Sequence, residues 1–149
     1  MAKGKKLTPR RLAREWALQF LYQHDVRQTE FEEEDLDLFW EQLQLSPSLP
    51  KEKAFEAGRN YANLLIRGVL ENSAEYDDML RSHSANWTLE RMAAVDRNLL
   101  RMGIYEMKNT DVPVEVVIDE AVEIAKAFAE KDSPAFINAI LDKINKQSD

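Results

Sequence analysis

Six cationic side chains open this chain with no acidic residue among them: Lys3, Lys5, Lys6, Arg10, Arg11 and Arg14. The whole chain has 20 Lys or Arg against 27 Asp or Glu and a formal net charge of −7. A cationic segment is therefore joined to a strongly anionic body. Such a segment draws in polyanions by releasing their counterions, while the acidic remainder repels attachment elsewhere. The charge map points to nucleic acid at the N-terminal end, with a solubilising leader as the alternative.

Catalytic chemistry finds few groups to work with. His24 and His83 are the only histidines, and they are not spaced as paired metal ligands. The absence of cysteine excludes disulfides, thiolate metal sites and a cysteine nucleophile. Four glycines cannot supply a phosphate-cradling loop. The acidic run at 30–37 lacks the Asp-x-Asp-x-Asp-Gly spacing of a calcium loop and reads as a solvated face. No metal, cofactor or catalytic residue is expected.

Two positions invite a binding role. Asp96 interrupts the apolar stripe of Met92, Ala93, Leu99, Leu100 and Gly103. A carboxylate there needs a buried partner such as an arginine or helix-end amide, or it lines a surface where another molecule docks. In KDSPAFIN, Asp132 and Ser133 precede a helix start whose free amides favour an anion, with Phe136 and Asn138 just inside. An aromatic ring and an amide so placed can stack on and hydrogen-bond an unpaired base, although an ordinary capped helix has the same pattern.

The elements that position these residues all have helical period. Thr8-Pro9 is a start signal for a helix to about Val26, with Leu12, Ala13, Trp16, Ala17 and Phe20 on its apolar face. Arg11, Glu15, Leu18 and Tyr22 fall on another face, with Arg10 and Arg14 close to Arg11. A short helix through Leu36, Phe39, Trp40 and Leu43 precedes the loop at 46–50, the clearest internal boundary. Residues 51–82 read as helical with a weak point at Gly68 or Asn72-Ser73. Thr88 caps a helix over 89–108, and a periodic helix spans 114–130. Ser133 caps the last helix, whose buried stripe is Ile137, Ile140, Leu141 and Ile144. The expectation is an all-α domain of about seven helices over 1–149. Its basic arm is 1–8, its N-terminal helical half reaches about 82, and its C-terminal half covers about 86–147. No stretch has the length or hydropathy to span a bilayer, and there is no secretory pattern, so a soluble cytoplasmic protein without membrane contact is expected.

Several ordered stretches resemble the NusB family of bacterial transcription antitermination factors. They are RRLAREWALQFLY (10–22), GVLEN (68–72), NWTLERMAAVDRNLLRMGIYEM (86–107), VPVEVVIDEAVEIAKAF (112–128) and DSPAFINAILDKI (132–144). The resemblance implies two small helical bundles packed together and a non-enzymatic role. That role is recognition of boxA RNA in nascent ribosomal RNA transcripts together with NusE, the small-subunit ribosomal protein, in a complex with other Nus factors and RNA polymerase. It places Arg10, Arg11 and Arg14 at the RNA, with a second RNA-proximal region around Asp132, Phe136 and Asn138. Tyr22 and Asp96 match positions tied to NusE. Ala139 stands where the family commonly has glycine. A helical adaptor that binds only protein partners is the alternative, and both a monomer and a homodimer stay open for the free protein.

Overall fold

The computed structural model describes residues 8–84 and 88–147. Lys3, Lys5 and Lys6 lie outside the described residues. Among the described residues seven α-helices are seen: α1 Pro9–Arg27, α2 Glu33–Leu43, α3 Glu52–Glu71, α4 Ser73–His83, α5 Ala94–Asn109, α6 Val114–Phe128 and α7 Ser133–Lys146. A single 3-10 turn, Leu89–Arg91, precedes α5. Among the described residues there is no strand, and the fold is all-α. No described helix is long and apolar enough to cross a membrane. Two compact units are formed, Met1–Leu64 and Leu65–Asp149, so the division falls within α3.

The first unit is built on aromatic packing against α1. Thr8 caps that helix, its hydroxyl oxygen accepting from the Arg11 amide at 3.0 Å, and Pro9 follows in the first turn. Trp16 meets the edge of Trp40 at 5.8 Å and 87°, and lies 5.5 Å from Phe55 of α3. Phe20 meets Phe39 edge-on at 5.6 Å. Such edge-to-face pairs add about 0.5–1.5 kcal/mol each beyond the area they bury. The indole N–H of Trp40 is not wasted: it donates to Asn63 Oδ1 at 2.9 Å. Arg14 and Leu18, read from periodicity as lying off the apolar face, are both buried, each 4% exposed. The buried arc of α1 is therefore wider than its apolar stripe.

In the second unit α5, α6 and α7 pack against one another, and α4 packs on α5 and α7. Arg101 of α5 grips Asp77 of α4 with two N–H donors, Nε to Oδ1 at 2.8 Å and Nη2 to Oδ2 at 3.0 Å. That fork geometry fixes register as well as adding charge-assisted bonds. The weak point foreseen at Asn72-Ser73 is where α3 ends and α4 begins, and Asn72 Nδ2 donates back to the Gly68 carbonyl at 2.8 Å.

Two expected caps are replaced. Thr88 does not start one long helix. The 3-10 turn intervenes, Met92 and Ala93 are extended, and α5 begins at Ala94. The Arg97 guanidinium donates to the Leu89 and Met92 carbonyls at 3.1 and 2.8 Å, satisfying groups that a continuous helix would have used. Asp96 thereby moves from mid-helix to the first turn of α5. At α7 the cap position is Asp132, with no side-chain capping bond, and the Ser133 hydroxyl turns away to another partner.

Gly68 gives the sharpest packing test. A Cβ built there would clash with the Cε1 edge of the Tyr105 ring, a residue that is 9% exposed. Replacing glycine in a helix interior gains up to about 1 kcal/mol of propensity, whereas overpacking a filled core costs about 1–3 kcal/mol. The clash should win. Gly68→Ala is expected to lower urea-unfolding stability by about 1–2 kcal/mol, and a stabilised variant would show that the Tyr105 ring is free to move.

Candidate nucleic-acid and partner interface

The N-terminal cationic group is split by burial. Arg10 is exposed and Arg11 half-buried, while Arg14 is buried. Arg10 lies with its guanidinium carbon 4.0 Å from the centroid of the Tyr61 ring on α3, and Arg14 is 5.8 Å from the same centroid. A cation within about 6 Å of an aromatic face is attracted by the ring quadrupole. The exposed donors at this helix start thus come chiefly from Arg10 and Arg11. Tyr22, on the same helix, is 42% exposed, and Val26 one turn later is 56% exposed. Tyr61 carries no motif, and its helical spacing marks only a packing position. Its place beside Arg10 follows from how α3 meets α1.

The second unit gathers its candidates more tightly. An open cavity of about 360 Å³ is lined by Met92, Ala93, Asp96, Asp132, Ser133 and Phe136, with Arg91 and Glu130 completing it. Three of the residues singled out in the sequence, Asp96, Asp132 and Phe136, therefore share one wall. Asn138 and Ala139 are exposed on α7 and do not line it.

Asp96 has a neutral partner, not the arginine or helix-end amide that the sequence suggested. Ser133 Oγ donates to its Oδ2 at 3.0 Å, and both residues are buried. The other carboxylate oxygen, Oδ1, is buried without a hydrogen-bond partner among the described residues. Burial pushes the Asp96 carboxyl above the ordinary aspartate range. The Ser133 bond pulls in the opposite direction, and the charge of Glu130 adds to the rise. A helix N-terminus favours the ionised form, yet desolvation outweighs it here. Asp96 lines the cavity, while its unpartnered Oδ1 is itself buried. Among the described residues no group of three or more potential ligands is placed to hold a metal ion.

The NusB family profile matches residues 11–146. The chain belongs to the NusB family. It is 46% identical over 136 residues to a transcription antitermination protein NusB of Geobacter sulfurreducens, covering 91% of this chain and 92% of that one. A second relative of the same name, from Thermodesulfovibrio yellowstonii, is 38% identical over 146 residues, covering 93% and 92%. Among solved structures, T. maritima NusB is 38% identical with a TM-score of 0.75, covering 95% of this chain and 94% of that one. A chain from a crystal structure of antitermination factors NusB and NusE in complex with double-stranded RNA is 26% identical with a TM-score of 0.72, covering 93% and 96%.

The raised carboxyl of Asp96 sets the sign of a pH effect. Its folded-state affinity for a proton exceeds that of the unfolded chain, so its ionisation costs stability. That cost sets in as pH rises from the ordinary aspartate range through the raised value. Asp96→Asn should remove this dependence and leave the protein as stable as the parent, or more so, at pH 7. Thermal melts across pH 3.5–7.5 check it (the range is about four units, wide enough for both protonation states). A loss of more than about 3 kcal/mol at neutral pH would instead mean that an uncompensated charge had been paired with Asp96.

Proposed function

We propose that this protein is an antitermination factor that binds boxA RNA of nascent ribosomal RNA transcripts jointly with NusE, within a larger assembly of Nus factors and RNA polymerase. The observation that carries the reading is the cavity that brings Asp96 together with Asp132 and Phe136. It puts a position the family resemblance ties to NusE beside two it ties to RNA.

The chemistry of that cavity divides the labour. Asp96, Asp132 and Glu130 outnumber Arg91 on its lining, so phosphate is disfavoured there and base contact is favoured. Phe136 supplies a stacking surface and the exposed Asn138 an amide for base edges. Asp96 on the wall of this cavity and the exposed Tyr22 are the NusE contacts that the resemblance implies. Phosphates are left to the cationic start of the chain, Lys3, Lys5 and Lys6 with Arg10 and Arg11. Arg14 acts mainly by holding its place in the helix. Phosphate contacts position a nucleic acid, and base contacts specify it.

Joint recognition follows from the small number of base-reading groups on this chain. A partner touching the same RNA raises affinity and selectivity together, and by linkage RNA tightens the protein–protein contact by the same factor. NusE from the same organism is expected to raise affinity for boxA RNA more than for a scrambled RNA of equal length at fixed salt. Fluorescence titration of both RNAs with and without NusE measures this. Equal enhancement of the two RNAs, or none, would favour the adaptor that binds only protein or a generic RNA binder.

A further inference from the structure

The exposed guanidinium of Arg10 is long and flexible, and its use depends on being held. Its position is fixed from the side of α3. At Gly58 the two helices come so close that a Cβ would lie 2.8 Å from Trp16 Cζ3 and 3.3 Å from the Pro9 carbonyl oxygen. Trp16 is itself held in a cluster with Trp40 and Phe55. One turn beyond Gly58, the same face of α3 presents Tyr61 to the first turn of α1, where the Arg10 guanidinium lies 4.0 Å from the ring centroid.

We propose that Tyr61 is a positioning residue for RNA capture, holding the Arg10 guanidinium against its ring so that the N–H donors point outward to phosphate oxygens. The role rests on the RNA reading above and extends its surface from α1 onto α3. Stacking uses the face of the guanidinium and leaves its five edge donors for an anion. Among the described residues those donors have no other acceptor. An unstacked arginine gives up much of its rotamer freedom on binding, and a ring that restrains it beforehand removes part of that cost. The buried Arg14, 5.8 Å from the same ring, backs the arrangement from within.

The test is the affinity of the full chain for a labelled single-stranded boxA RNA, with melting temperature followed in parallel. Tyr61→Leu should weaken binding about 2- to 5-fold, the range of a cation–π contact at an exposed site. Tyr61→Phe, which keeps the ring, should bind as the parent does. Arg10→Lys, which keeps the charge but loses the planar stack, should resemble Tyr61→Leu. It decides the matter if that variant fails to fold. In an Arg10→Ala background, Tyr61→Leu should add no further loss. The proposal is overturned by parental affinity in Tyr61→Leu, by an equal loss in the Arg10→Ala background, by a Tyr61→Phe variant as weak as Tyr61→Leu, or by parental affinity in Arg10→Lys. Parental affinity in the double variant Arg10→Ala/Arg11→Ala overturns the assignment of RNA to this helix as well, which separates the two failures.

Discussion

The cluster of Trp16, Trp40 and Phe55, each ring in contact with the other two, is the packing on which the rest of the first unit depends. It sets α1 against α3 where Gly58 leaves room for Trp16 and the Pro9 carbonyl, and the same α3 surface reaches Arg10 through Tyr61. One helix then serves two ends. Its buried side supplies aromatic packing, and its first turn presents guanidinium groups whose orientation is inherited from that packing. A cationic tail without such an anchor would still attract RNA, but it would have to be ordered at the moment of binding, at a cost in affinity.

The second unit handles its polar group differently. Asp96 is kept in a buried position by one hydroxyl bond and with one oxygen unmatched, which is an expensive arrangement for a carboxylate. A core chosen for stability alone would hold an apolar residue there. The cost becomes intelligible if the missing hydrogen bond is completed by a partner, since the donor then binds a group already stripped of water. The same cavity, acidic and walled by Met92, Ala93 and Phe136, favours donors and flat apolar rings over phosphates. In the proposed reading, charge capture is separated from base and partner recognition by chemistry as well as by residue.

Local signals were legible in the sequence, and contacts across the fold were not. Thr8-Pro9 announced the start of α1 because capping depends on neighbours in the chain, and Asn72-Ser73 announced a break for the same reason. The stripe of α7 gave its buried residues directly, whereas on α6 the helical period that marks Val117, Ile118, Ala121, Ile124 and Ala125 also marks Phe128, which is 48% exposed. Arg14 misled because a guanidinium is read as exposed, whereas its long stem and an aromatic neighbour allow burial. Ser133 misled because a serine before proline at a helix start reads as a cap, and only the fold brings Asp96 to its hydroxyl. Tyr61 was not singled out, because its helical spacing from Gly58 and Leu65 marks a packing position and not a binding role. Asp96 itself was the informative exception: a carboxylate on an apolar stripe signalled an unusual site, though not the identity of its partner.

The central claim is that exposed guanidinium groups at the start of α1 neutralise RNA phosphates. The salt dependence of boxA RNA binding tests it most directly. For two to six phosphate contacts the log–log slope should be roughly −1.4 to −4, and Arg10→Ala/Arg11→Ala should make it shallower by about 1.4, the share of two contacts to single-stranded RNA. An unchanged slope in a variant with its helical content intact would contradict the account.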